Sequence, residues 1–398
     1  MSFEDRNLKV GCSAVQTLGI HSADKNSVVS DFLFTIKMRR IVTLFLLFNV
    51  VLGGKTAKQK KFAEPQIIPF VRQNENFPQV VEMLIGSPPQ KLKVALCYES
   101  YASSNGKVLD QILMFKPKNC GKNTIQFFNA SKSKTLKNLN RHTKSNRNFG
   151  GGKIFADRIA LGSDAALMQN LSFVIADSKD SCNFAGLWPM DPIAKIDVWE
   201  PLLKQKPKPV VTITADKTPK IKGVWSTGQL MIGGWNEKSC KPIGLEQYGQ
   251  LDFYARKFAT KNKQISFGIQ NYPHGYLDLG VDRLYFGSQL FKQFFNKLIM
   301  KNGRYYGDCA GNEKMGLQLP LKSYTTPWDR FLHKKTHDLW IDIAVKKSGG
   351  QCELKVAEWK ERPKEFKLTA PLLATYCVHQ QYEVDMTPQK TSLYIDDN

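Results

Sequence analysis

The sequence predicts an all-β protein with a few short helices, and three observations carry that prediction. Short runs that alternate apolar and polar residues recur from Phe77 onward, as half-buried strands require. Pro88-Pro89, Gly150-Gly151-Gly152 and Gly233-Gly234 punctuate these runs as turns. The chain of 398 residues also exceeds the size at which one hydrophobic core usually keeps growing, which favours two lobes.

The individual elements follow from local periodicity. Alternation predicts strands over residues 79–85, 92–96, 153–161, 171–176, 210–213, 229–232, 251–258 and 339–345. Apolar residues recur at helical spacing between residues 288 and 300, which predicts one helix there. A shorter helix is predicted over residues 191–203.

The N-terminal region has the arrangement of a secretory signal. Met38-Arg39-Arg40 precedes an apolar stretch of 12 residues, 41–52, which ends at Gly53-Gly54. That stretch is shorter than the roughly 20 residues needed to span a bilayer. A type II anchor and a buried strand are the alternatives.

These features predict the organisation of the chain. We interpret residues 1–37 as an upstream extension, 38–54 as the signal peptide and 55–77 as a linker or short pro-segment. Two β lobes are expected over residues 78–240 and 241–398. The protein is then secreted or lies in the lysosomal lumen, with no membrane partner after signal cleavage.

Export also bears on the cysteines and on glycosylation. Of eight cysteines, seven follow the predicted signal, so disulfides are expected and at least one thiol is left over. Asn129 and Asn170 each begin an Asn-X-Ser sequon and are predicted glycosylation sites.

The charge balance favours anionic partners. The formal net charge is +22, and residues 116–153 contain ten Lys or Arg and no Asp or Glu. This basic segment is either a solvated insertion or a polyanion-binding loop. No nucleic-acid motif accompanies it, so an acidic glycan is the expected polyanion and no nucleic-acid partner is expected.

One segment resembles the signature of pepsin-like aspartic proteases. Ile85-Gly86-Ser87-Pro88-Pro89-Gln90 is similar to the family's Ile-Gly-Thr-Pro-Pro-Gln, which precedes a strand and then Asp-Thr-Gly-Ser. Here the strand runs into Cys97-Tyr98-Glu99-Ser100. The resemblance therefore places Cys97 at the position of the first catalytic aspartate.

Further segments resemble the family in the same order. Asp278-Leu279-Gly280-Val281 is similar to the second Asp-Thr-Gly-Thr, and Phe286-Gly287 follows as expected. Gly228–Gly234 and Leu372-Leu373-Ala374 match later strands. The resemblance covers residues 78–398 and implies a bilobal fold with a central cleft. It also implies a monomer that holds a peptide or protein in that cleft.

Peptide hydrolysis in this family needs two carboxylates that share one proton across a water molecule. Asp278 is retained, but a thiol at Cys97 supplies neither the acid nor the base. Tyr98 and Val281 replace the threonines that lock the two active loops together in the family. The flap tyrosine is also missing, since Ser145 or Phe149 stands at its position.

These losses predict a non-catalytic homologue. The first alternative is a residual endopeptidase that uses Asp278 with Glu99 or another acid. The second alternative is a polyanion-binding protein that uses the basic segment.

The resemblance also implies the disulfide Cys309–Cys352. A second pair, Cys182–Cys240, is suggested because both cysteines are expected at the edge of the first lobe, while Cys120 and Cys377 have no assigned partner. His333 and His337 have helical i,i+4 spacing that fits zinc, but a third ligand is lacking and a surface segment is favoured. No metal and no cofactor are expected.

Overall fold

The structure is a computed structural model. It describes residues 64–75, 77–98, 113–115, 127–146, 150–176, 185–190, 198–204, 206–248, 252–268, 271–320, 336–346, 351–382 and 388–396. The predicted upstream extension and signal peptide lie outside this part of the chain and stay predictions. Within it, no helix is long and apolar enough to cross a membrane.

Strands dominate the described residues, which confirms the all-β prediction. In chain order the first thirteen are β1 (Gln66–Arg72), β2 (Val80–Ile85), β3 (Gln90–Cys97), β4 (Leu113–Phe115), β5 (Lys137–Asn146), β6 (Gly150–Leu161), β7 (Gln169–Ala176), β8 (Gly186–Pro189), β9 (Val210–Ala215), β10 (Ser226–Ile232), β11 (Cys240–Tyr248), β12 (Asp252–Tyr254) and β13 (Lys257–Ala259). The remaining strands are β14 (Gln264–Ser266), β15 (His274–Asp278), β16 (Leu284–Gly287), β17 (Ile299–Lys301), β18 (Arg304–Asp308), β19 (Lys314–Pro320), β20 (Thr336–Asp342), β21 (Ala344–Lys346), β22 (Gln351–Leu354), β23 (Val356–Trp359), β24 (Phe366–Thr369), β25 (Tyr376–Tyr382) and β26 (Pro388–Asp396).

The strands form one large sheet and three smaller ones. The large sheet has 13 strands in the order β11-β26-β25-β9-β10-β1-β2-β3-β8-β4-β7-β6-β5. The smaller sheets have the orders β12-β15-β24-β16-β23, β14-β13-β19-β20 and β17-β18-β22-β21. Because the large sheet contains strands from both sides of residues 240 and 241, the division into lobes there stays a prediction.

One pattern of strand pairing occurs twice. In the first repeat, β3 is parallel to β8, β8 is antiparallel to β4, and β4 is parallel to β7. In the second repeat, β15 is parallel to β24, β24 is antiparallel to β16, and β16 is parallel to β23. Cys97 ends β3 opposite Pro189, and Asp278 ends β15 opposite Thr369. Cys97 and Asp278 therefore occupy equivalent places in the two repeats.

Two α-helices lie among the described residues, α1 (Trp199–Leu203) and α2 (Ser288–Phe295). Short 3-10 turns cover Ala130–Lys132, Ala165–Leu167 and Ala370–Ala374. The predicted helix 288–300 begins correctly but ends five residues early. Its last residues instead form β17, which pairs with β18 across a turn with positive φ at Asn302 and Gly303.

Two predicted strands are each broken in two, and the cause is the same in both cases. The stretch 251–258 divides because β12 pairs with β15 while β13 pairs with β14 and β19 in another sheet. The stretch 339–345 divides because β20 pairs with β19 while β21 pairs with β22. Alternation identifies an extended chain, but it does not report a change of sheet.

The second half of the predicted linker, residues 55–77, is part of the large sheet. β1 lies between β10 and β2 and pairs with both. Ile68 and Phe70 are buried in the core, and their alternate spacing is the strand pattern that the linker interpretation overlooked.

Two disulfides lie among the described residues. Cys309–Cys352 is present, which confirms the pairing that the family resemblance implied. The pairing of Cys182 with Cys240 is wrong, because Cys240 is bonded to Cys377. β11 and β25 both pair with β26, which brings the first residue of β11 within bonding distance of the second residue of β25.

His379 is the most strongly perturbed histidine of the large sheet. It lies in β25 opposite Thr212, is buried, and meets the Trp235 ring edge-on at 5.2 Å. Burial lowers the pKa of His379 to about 3, and the nearby Lys208 ammonium adds to this. The imidazole is therefore held neutral in the folded protein.

We expect His379 to make the fold sensitive to acid. Its stabilising contribution is complete above the unfolded-state pKa of about 6.5 and is lost as the pH falls towards the folded pKa. The free energy of unfolding should fall by about 2–3 kcal/mol more between pH 7.5 and pH 4.5 than in His379→Gln, as measured by urea unfolding at both pH values. Equal losses in the parent and the variant would contradict this assignment.

Candidate functional site

Asp278 ends β15 and lies where the chain turns away from the sheet. β15 is held between β12 and β24, and Asp278 itself pairs with Thr369 of β24. The turn that follows Asp278 is connected to the end of β24, because Ala370 N donates to Val281 O at 2.9 Å. Asp278 as a whole residue is 7% exposed and therefore has little access to water.

Both oxygens of the Asp278 carboxylate have a donor. Gly280 N donates to Oδ1 at 3.1 Å, and Lys367 Nζ lies 3.4 Å from Oδ2. A Cβ at residue 280 would lie only 3.2 Å from that same Oδ1, so glycine is what allows the close turn. The carboxylate is thus satisfied by groups of its own half of the chain.

Lys367 is held firmly beside this carboxylate. It lies in β24, two residues before the strand ends, and its Nζ is 4.8 Å from the centroid of the Trp359 ring and 5.9 Å from that of Tyr285. Both side chains of the Lys367–Asp278 pair are about one-tenth exposed, at 11% and 10%. Lys367 is therefore the cationic partner of Asp278 in the folded protein.

The equivalent residues of the first repeat are Cys97 and Tyr98. Cys97 is buried at the end of β3 and belongs to neither of the two disulfides. Met190 N donates to Cys97 O at 2.6 Å. Tyr98 is 4% exposed, and a Cβ on Gly280 would lie 3.8 Å from its ring. The Tyr98 ring therefore packs against the turn that follows Asp278.

Tyr98 does not supply an acid or base in place of the missing aspartate. Burial raises the pKa of Tyr98 well above its usual range, and the neighbouring Asp278 carboxylate raises it further. The hydroxyl is buried and has no hydrogen-bond partner among the described residues. A neutral phenol in this position fills space between the two repeats.

Two polar side chains join the segments that the family joins through its threonines. Gln79 Nε2 donates to Leu279 O at 2.6 Å, and Arg72 Nη2 donates to Gly280 O at 3.1 Å. We expected this connection to be lost with Tyr98 at the position of a family threonine. The structure contains a different connection, made by two residues that both precede β2.

Arg72 is the centre of this connection. It is fully buried, and its guanidinium also donates to Asn74 O at 3.3 Å and to Glu75 O at 3.0 Å. Asp282 lies 3.9 Å from Nη1. Burial lowers the pKa of Arg72, and the Asp282 and Asp278 carboxylates oppose that shift. The guanidinium stays charged, since arginine is not deprotonated in proteins.

Further ion pairs extend the connection outward. Asp282 accepts a hydrogen bond from Trp225 Nε1 at 2.9 Å and lies 3.2 Å from Lys355 Nζ. Glu75 pairs with Arg283 at 3.5 Å and with Arg304. Ion pairs thus connect residues before β2 to residues after β15.

Several predicted residues are placed differently or fall outside the description. Glu99 and Phe149 lie outside the described residues, and Ser145 lies in β5. Asn170 is exposed on β7, whereas Asn129 is partly buried and its Oδ1 accepts hydrogen bonds from Ser131 N and Oγ. Both remain predicted glycosylation sites.

The structure does not support the zinc alternative. His337 lies on strand β20 rather than on the helix that i,i+4 spacing requires, and His333 is outside the described residues. No group of His, Cys, Asp and Glu suited to a metal occurs in the part of the chain that the structure describes.

The residues that sequence reasoning missed are Arg72, Gln79 and Lys367. No motif marks any of them, and Arg72 was assigned to the linker. Lys367 lies two residues before Thr369 and therefore on the same strand face, and Thr369 pairs with Asp278. That pairing is a long-range contact, which local patterns do not report.

Comparisons with known proteins add no relative. No protein-family model matches the chain, and no curated protein matches it.

We expect Arg72→Met to lower the free energy of unfolding by about 3–5 kcal/mol, because it leaves the Asp282 carboxylate and three carbonyl oxygens without the buried cation. Urea unfolding at neutral pH measures the change. The matched control is Lys314→Met, which removes an exposed pair with Asp342 at 3.5 Å and should cost about 0–1 kcal/mol. Losses of similar size in the two variants would show that the buried connection contributes no more than a surface pair.

Proposed function

We propose that this chain is a secreted, non-catalytic homologue of the pepsin-like aspartic proteases, with a bilobal fold that binds a peptide or protein without cutting it. The observation that carries the proposal is the equivalence of Cys97 and Asp278. Each ends a strand of the same repeated pairing pattern, as the two aspartates of that family are expected to do. One of the two positions holds a thiol where a second carboxylate is required.

The surroundings of Asp278 add a second reason. The family's reaction needs one protonated and one ionised carboxyl group that face a shared water. Here the Asp278 carboxylate faces Gly280 N and the Lys367 ammonium. These two donors hold the carboxylate in place at the turn, and neither of them is the second carboxyl group that the reaction requires.

A third reason is the pH at which the fold is stable. Pepsin-like enzymes cleave proteins in acid, whereas the neutral, buried His379 stabilises this fold above about pH 6.5 and loses that effect in acid. Loss of this stabilisation in acid is unfavourable for an enzyme that would have to work there.

The test is proteolysis by the purified chain. We expect no pepstatin-sensitive cleavage of a denatured protein substrate between about pH 3 and pH 7, and no difference from Asp278→Asn. Cleavage by the parent that pepstatin and Asp278→Asn both abolish would overturn the proposal in favour of a residual endopeptidase. In that case Glu99→Gln identifies whether Glu99 is the second acid.

A second candidate function rests on the exposed part of the basic segment. Lys132, Lys134, Lys137, Arg141 and Lys153 are all exposed on or beside the β5–β6 hairpin. Cations grouped on one hairpin favour a polyanion such as an acidic glycan.

Heparin retention tests the second candidate. Replacing these five residues by Gln should lower the salt concentration that elutes the protein from heparin, because fewer counterions are released on binding. The matched control replaces five exposed lysines elsewhere, Lys217, Lys220, Lys238, Lys261 and Lys360, by Gln. An equal decrease in both variants would assign retention to net charge alone.

A further inference from the structure

The edge strand β17 carries an exposed apolar pair within a basic surface. Ile299 is 53% exposed and Met300 is 64% exposed, and the third residue of the strand, Lys301, is also exposed. β17 is the outer strand of its four-stranded sheet, with β18 on its inner side. We call residues 296–301 the β17 edge. Large apolar side chains this exposed on one short strand mark an interaction site.

The charge around the β17 edge has one sign. Residues 288–303, which contain α2 and the β17 edge, include three lysines and no Asp or Glu. Lys292, Lys297 and Lys301 are all exposed. Lys263 adds a fourth cation, since its Nζ donates to Gln293 O on α2. The charged side chains of the segment that carries the apolar pair are therefore all ammonium groups.

The strand that pairs with the β17 edge, β18, is anchored to the rest of the protein. Tyr305 lies opposite Met300 on β18, and its ring centroid is 4.7 Å from that of Phe291 on α2. Arg304 follows the turn and pairs with Glu75 and Glu353. These contacts anchor β18, and β17 pairs with β18. Ile299 and Met300 are therefore exposed on a paired strand and not on a frayed end of the chain.

We propose that the β17 edge binds the surface of an anionic lipid bilayer. Ile299 and Met300 are neighbours in the strand and project to opposite faces of the sheet, so they flank its free edge on both sides. With that edge turned towards the bilayer, both side chains would enter the boundary between headgroups and acyl chains, while the lysines contact acidic headgroups through long side chains. Tyr306 lies opposite Ile299 on the paired strand and is half-buried, and an amphipathic ring suits that boundary. This is surface binding, which the expectation of no membrane partner after signal cleavage did not consider.

Charge decides between a bilayer and a second copy of the chain. An edge strand can pair with an identical edge, but β17 has only three residues and so offers few backbone hydrogen bonds. Its lysines would face those of the other copy, and the net charge of +22 opposes self-association. An anionic surface meets the same lysines with complementary charge. An acidic glycan would use them too, but it gains nothing from Ile299 and Met300.

Vesicle sedimentation tests this proposal with the full chain. We expect binding to phosphatidylcholine vesicles that contain about one-fifth phosphatidylserine and little binding to phosphatidylcholine alone. The double variant Ile299→Ser/Met300→Ser should bind about tenfold more weakly or less, because it loses the apolar surface that enters the bilayer. The control Ile67→Ser/Ile221→Ser removes two other exposed isoleucines, 59% and 49% exposed, and should bind like the parent.

Three results would overturn the proposal. The first is a parent protein that does not sediment with the acidic vesicles. The second is a double variant that binds as tightly as the parent, which would reduce the effect to net charge. The third is a dimer of the parent in light scattering that the double variant abolishes, which would assign the β17 edge to a second copy. Thermal unfolding of both variants checks that the exposed substitutions leave the fold intact.

Discussion

The Arg72 guanidinium lies inside the protein and donates hydrogen bonds to Glu75 O in its own segment and to Gly280 O in the other repeat. A buried cation is costly unless charges and carbonyl oxygens surround it, so its presence constrains everything nearby. Asp282 must stay close, the 72–75 segment must curl around the guanidinium, and the turn after Asp278 must present its carbonyl oxygens. The position of Asp278 relative to the first repeat depends on this one side chain.

The same contacts determine the surroundings of Asp278. With the turn held by Arg72 and Gln79, Gly280 brings its N–H to the Asp278 carboxylate, and Lys367 closes the other side. The space between the repeats is filled by the buried Tyr98 ring. The Asp278 carboxylate thus accepts from a backbone N–H and lies beside an ammonium group, and the equivalent position of the first repeat holds a thiol. This arrangement underlies the proposal that the protein binds a peptide or protein without cutting it.

Charge is distributed unevenly between the inside and the outside of the protein. Acidic residues near the candidate site are paired with buried or half-buried cations, as Glu75 is with Arg283 and Arg304. The exposed lysines of the β5–β6 hairpin and of the β17 edge make up part of the excess of positive charge. The protein can therefore present basic surfaces to anionic partners without destabilising its core, because charges in water are screened and those in the core are paired.

The sequence by itself determined the all-β class, most of the strands, the start of α2 at Ser288, the Cys309–Cys352 disulfide through the family resemblance, and the substitution at Cys97. These depend on local alternation or on a motif, and both are visible in a single stretch of chain. Only the tertiary structure decided that residues 66–72 form an inner strand, that Cys240 bonds to Cys377, and that Arg72, Gln79 and Lys367 surround the turn after Asp278. Each of these joins residues far apart in the chain, and such contacts are set by which strands pair and what they bury, information that no local pattern contains.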